Sequence, residues 1–132
     1  MSMIEISLQQ NLLRAVLILG FLSISPLPAQ QPSNEEMIRI ARSGDEAALR
    51  AAIEKRHPAL AGRAAASVWG QDFLFLASTA KEAALSVDLQ PAVPMKRISG
   101  TDLWYALRKL SAGTTHAWQV FAGGAELGNR AD

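Results

Sequence analysis

The apolar positions of this chain fall into three successive patterns. The first is a single uncharged block, Ala15–Ile24, preceded by Arg14 and ended by Pro26 and Pro28. A bilayer-spanning helix needs about 20 apolar residues, so this block is too short to cross, although it suits the apolar region of a signal peptide. Leu27-Pro28-Ala29 supplies a small residue for cleavage, and Glu5 offsets Arg14 in the long n-region. Residues 1–29 are predicted to be a signal peptide, with an uncleaved anchor as the rival, and no stable transmembrane span is expected.

The second pattern has helical spacing. After a polar linker over residues 30–34, Ser33 and Glu36 form a capping-box signature, and Met37, Ile40 and Ala41 share one face. Ser43-Gly44-Asp45 interrupts, with Gly44 as C-cap and Asp45 as the next N-cap. Ala48, Leu49, Ala52 and Ile53 then line a second helix, which Lys55 and Arg56 complete and His57-Pro58 stops. A helix pair is predicted from about Asn34 to Arg56. The phrase over residues 41–53 also resembles the first helices of an ankyrin repeat. Nothing of that period recurs after His57, so a two-helix arm is the better reading.

From Ser67 onward the pattern is that of strands. Phe73–Ala77 is a short apolar run, consistent with a strand buried on both faces, and Ala84–Leu89 alternates. Pro91 and Pro94 mark a loop or edge, and Met95–Ser99 reads as a weak third strand. Between Gly100 and Gly124, two aromatic-bearing segments, Leu103–Leu110 and Thr114–Ala122, are joined by Ser111-Ala112-Gly113, which predicts a β-hairpin. His116, Trp118, Val120 and Ala122 share one face of the last strand, expected to be the core face, with Phe121 opposing. The result is a mainly β fold with an N-terminal helical arm: an antiparallel sheet or sandwich over residues 67–132 and linker plus arm over 30–66.

Composition narrows the function. Thirteen basic residues against 12 acidic ones give a net charge of +1, with no basic stripe, so a nucleic-acid partner is not expected. Cysteine is absent, which removes disulfides, thiolate metal sites and a cysteine nucleophile. There is no Gly-x-Ser-x-Gly elbow, phosphate loop or dinucleotide fingerprint. His57 and His116 are not at metal-ligand spacing, and both read as structural. Asp72, Asp88 and Asp102 read as solvated turn residues at strand edges. No catalytic residue, metal site or cofactor is expected.

The aromatic residues are the remaining candidates. Trp69, Trp104, Tyr105 and Trp118 all lie in the β-region, where an exposed ring could stack on a sugar and a buried one would fill the core. Trp118 is expected in the core. Trp104 and Tyr105 are neighbours in a strand and point to opposite faces, so at most one of them should be deep in the core. Trp104 and Tyr105 are the candidate ligand-binding residues.

Three segments carry a family resemblance: Gly70–Phe75, Met95–Tyr105 with its Gly-x-x-x-Trp spacing, and Leu110–Trp118. Together they resemble the N-terminal domain of bacterial exported esterases of the enterochelin-esterase-like group. The Asp-Gly turn of that pattern is replaced here by Ala122-Gly123-Gly124, and residues 127–132 are similar to the tail leading toward a catalytic domain. The resemblance implies an immunoglobulin-like early-set β-sandwich, related to glycogen-binding modules, on an exported protein, periplasmic or secreted. It also implies an α/β-hydrolase partner domain C-terminal to Asp132. The chain stops before such a domain, so a truncated product or fragment is expected, itself non-catalytic. The alternatives are an independent carbohydrate-binding module that takes a glycan, and hydrolysis by a complete protein from which this chain was cut.

Overall fold

The structure, a computed structural model, describes residues 30–128. The expected signal peptide and the tail from residue 129 lie outside the described residues.

Among the described residues two helices come first. Helix α1 (Asn34–Ser43) starts at Ser33, whose hydroxyl accepts from the Glu36 amide at 3.2 Å, so one half of the expected capping box is in place. It ends at Gly44, which takes the left-handed conformation at φ 79° that a side chain would disfavour. Helix α2 (Glu46–Arg56) starts at Asp45, whose carboxylate accepts from the Ala48 amide at 3.1 Å. Met37, Ile38 and Ala41 of α1 and Leu49, Ala52 and Ile53 of α2 are buried, while Ile40 is only half-buried. Arg56 ties the entering chain to the end of α2 by donating to the Pro32 carbonyl at 2.7 Å and to the Asn34 side chain.

Eight strands follow: β1 (Ala64–Trp69), β2 (Asp72–Ser78), β3 (Ala83–Val87), β4 (Val93–Pro94), β5 (Lys96–Arg97), β6 (Leu103–Lys109), β7 (Trp118–Ala122) and β8 (Ala125–Glu126). They form two antiparallel sheets of four strands, ordered β1-β2-β6-β5 and β4-β3-β7-β8. The fold is mainly β, with two sheets and two helices, consistent with a β-sandwich.

The expected hairpin does not form. Strand β6 pairs with β2 and β5, whereas β7 pairs with β3 and β8 in the other sheet. The Ser111–Ala117 segment is a loop that carries the chain from one sheet to the other. The weak strand expected over Met95–Ser99 is likewise divided. Val93–Pro94 belongs to the second sheet and Lys96–Arg97 to the first, and buried Met95 sits between them. Strand β1, whose first half lies before Ser67, was not anticipated; it pairs with β2 from Ala64↔Ala77 to Trp69↔Asp72.

Alternation along β2 shows how the layers stack. Leu74 and Leu76 face the helices, in a cluster with Met37, Leu49, Ile53 and Tyr105. Phe75 and Ala77 face the second sheet, in a cluster with Leu85, Val87, Trp104 and Val120. The first sheet is therefore covered on both faces, which explains why β2 reads as a continuous apolar run.

Candidate functional site

The double coverage decides the fate of the two candidate aromatics. Trp104 and Tyr105 do point to opposite faces, Trp104 into the space between the sheets and Tyr105 toward the helices. Each is nonetheless only 8% exposed. The expectation that one of the pair would be exposed is corrected: the helix pair supplies a second core. The Trp104 indole N–H donates to the Thr79 carbonyl at 2.9 Å, and the Arg97 guanidinium lies 5.8 Å from its ring centre. The Lys96 ammonium lies 5.9 Å from the centre of the Tyr105 ring. Trp118, expected in the core, is half-buried and tilts against Phe75 with ring centres 5.3 Å apart. Trp69, at the β1–β2 turn, is the exposed aromatic among the described residues, at 53%.

A polar constellation forms where the sequence suggested only isolated residues. Nδ1 of His116 lies 2.7 Å from Oδ2 of Asp88, and Nε2 lies 2.9 Å from the Ser111 carbonyl and 3.1 Å from the Thr114 hydroxyl. Asp88 also accepts from the Ala117 amide at 3.0 Å. It reaches this position from a turn in which Asp88 and Leu89 both take positive φ, 52° and 61°, a costly region for side-chain-bearing residues. The Phe73 ring stands edge-on to the imidazole, with centres 5.5 Å apart.

A threonine, a histidine and an aspartate lie within hydrogen-bond reach, and the acceptors around the ring define which of its nitrogens carry protons. A carbonyl oxygen can only accept, so Nε2 must carry a proton to meet Ser111. A carboxylate also only accepts, so Nδ1 must carry one to meet Asp88. While the ring is charged both nitrogens donate, and no lone pair faces Thr114, whose hydroxyl lies 3.3 Å from the Ser111 carbonyl as a donor. The Asp88 hydrogen bond and then the Ser111 carbonyl raise the His116 pKa, and the His116 hydrogen bond lowers that of Asp88. The arrangement is a structural clasp holding the 111–117 loop to the turn after β3. Sequence reasoning missed it because Asp88 and His116 are far apart in the chain, and nothing local joins them.

A groove of about 700 Å³ runs along the second sheet, lined by residues of its outer face and also by buried Met95 and Trp104. Ala84 lies opposite Pro94 on one side and Phe121 on the other, so β4, β3 and β7 contribute one row to this face. Ala92 and the Gly123-Gly124 turn complete the rim. Among the described residues, no three His, Cys, Asp or Glu groups are placed to hold a metal, and no helix is long and apolar enough to cross a membrane. No family model, curated protein or solved structure matches the chain.

Proposed function

We propose that this chain is a non-catalytic accessory module of an exported esterase-like hydrolase, an immunoglobulin-like early-set sandwich that packs against an α/β-hydrolase domain. The observation that carries this reading is the groove over the second sheet. An outer sheet face ordinarily alternates to polar residues, yet here Ala84, Pro94 and Phe121 form an apolar row. That row lies beside the turn leading into β8, where the chain runs on toward its C-terminus. A contiguous apolar surface near such an exit suits the docking of a following domain. The doubly donating His116 is in keeping with a module that performs no chemistry itself.

Titrating an isolated α/β-hydrolase domain of an enterochelin-esterase-like enzyme into the labelled chain tests the proposal. Saturable shifts are expected at Ala84 and Phe121, and the chain alone should not turn over simple aryl esters. Absence of those shifts, or saturable turnover by the chain itself, would refute it. The carbohydrate-binding reading retains one observation in its favour, the exposed Trp69. Soluble glucan titrated against tryptophan fluorescence should give no saturable change. A quench lost in Trp69→Ala would promote that reading instead.

A further inference from the structure

The two outer edges of the first sheet are treated differently. At the β1 edge the Asn34 side chain donates to the Val68 carbonyl at 3.2 Å, so α1 occupies part of that edge. At the other edge β5 is short, pairing with β6 only at Lys96↔Tyr105 and Arg97↔Trp104. The Ile98 amide donates to the Leu103 carbonyl at 2.8 Å, which fixes the alternation along β6. Backbone groups of Leu103, Tyr105, Leu107 and Lys109 point toward β5, and those between them point toward β2. The Leu110 amide, which donates to Gln71 beside β2, agrees with this parity. Beyond Tyr105 the ladder has no strand to pair with on this side among the described residues, because the chain has already left for β4 at Pro94.

Two further features lie along this open edge. A cleft of about 310 Å³ runs beside it, with Leu85, Val93 and Leu107 among its walls and Lys96, Tyr105 and Arg108 at its margins. The charge around it is positive. Lys96, Arg108, Lys109 and Arg42 surround the edge, and among the described residues two carboxylates pair with them. Glu46 lies 3.6 Å from Lys96, and Asp72 pairs with Arg42. An edge that needed only protection from unwanted pairing would be served by charge alone and would not need an apolar socket.

We propose that the open edge of β6 at Leu107–Lys109 binds an acidic peptide segment in extended conformation. The segment adds as a strand, exchanging backbone hydrogen bonds with Leu107 and Lys109. Its alternate side chains enter the apolar cleft, and its carboxylates, on the opposite face, meet Lys109 and Lys96. This site lies at the open edge of β6, shares Pro94 alone with the lining of the groove over the second sheet, and does not depend on a hydrolase partner.

The test uses the full chain and a blocked, fluorescent peptide of alternating glutamate and valine. Saturable anisotropy is expected, weakening with added salt. Bound peptide should protect the Leu107 and Lys109 amides from hydrogen exchange and leave those of β8 unchanged. Lys109→Glu, at an exposed position, should retain the native thermal transition and weaken binding by about tenfold or more. A peptide N-methylated on alternate residues should not bind, because the strand ladder cannot form. The proposal is overturned if no acidic peptide binds, if the lysine–valine counterpart binds equally well, or if protection appears elsewhere. It is also overturned if the two amides become protected with rising protein concentration and no peptide, since the occupant would then be a second copy of the chain.

Discussion

His116 donates two hydrogen bonds only while it is charged, so the clasp has a pH range set by its own members. The folded pKa of His116 is raised, so its contribution is complete below the ordinary imidazole value of about 6.5 and is lost as pH rises through the higher folded value. The folded pKa of Asp88 is lowered, so its contribution is present above about 3.9 and is lost as pH falls through the lower folded value. The clasp should therefore be strongest in the mildly acidic range. His116→Ala is expected to lower the melting temperature more at pH 5.5 than at pH 9 (roughly a unit or more to either side of the ordinary imidazole value). A histidine NMR titration with a midpoint at or below that value would contradict this account. The tryptophans should separate by burial. Trp104→Ala should cost about 3–5 kcal/mol, since a core ring and its bond to Thr79 are both lost. Half-buried Trp118→Ala should cost less, and Trp69→Ala should fall within about 0.5 kcal/mol of the parent in chemical denaturation.

The helices were legible because their signals are local. Ser33, Gly44 and Asp45 act within a few residues of where they stand, and each occupies the cap position its chemistry suggests. Ser33→Ala and Asp45→Ala should each destabilise the chain by about 1 kcal/mol in urea titrations, and additively, because they cap different helices. The strands were legible as segments but not as partners. Ser111-Ala112-Gly113 correctly marks a break after β6, yet a turn signal does not specify which sheet receives the next strand. That choice is made by distant residues, Leu74 against Leu107 in one sheet and Leu85 against Val120 in the other. Strand β1 was hidden for another reason. Ala64-Ala65-Ala66 has low intrinsic strand preference, and it is strand because β2 supplies a partner for every residue and cores receive its two faces. The division at Met95 was equally unreadable, since the strand on each side is only two residues long.

At the scale of the molecule, the helix pair is what most alters the reading of the candidate site. Seen as a two-layer sandwich, the first sheet would have an outer face on which Trp104 or Tyr105 could meet a ligand. With the helices in place, the face of Tyr105, Leu74 and Leu76 is a second core, closed by Met37, Leu49 and Ile53. The groove over the second sheet left only one trace in the sequence: Phe121 on the wrong face of its strand, with Ala84 and Pro94 joining it only through pairing. The same stacking bears on where the folding unit begins. A chain cut to residues 67–132, the sandwich boundary that composition suggested, would lose both helices and the Ala64–Ala66 half of β1. Leu74, Leu76 and Tyr105, all now buried, would face water as one apolar patch beside a shortened edge strand. Fully exposing a leucine forgoes about 1.5–3 kcal/mol, and small domains hold only about 5–15 kcal/mol in all, so losing several such residues at once should be decisive. The trimmed chain is expected to bind a hydrophobic dye, to elute as aggregate in size-exclusion chromatography and to show no cooperative thermal transition. A chain beginning at Gln31 should instead unfold cooperatively, because the clasp of Arg56 on Pro32 and Asn34 is retained. A monodisperse, cooperatively folded 67–132 piece would mean that the helices only decorate the sandwich and that the first sheet tolerates an open face.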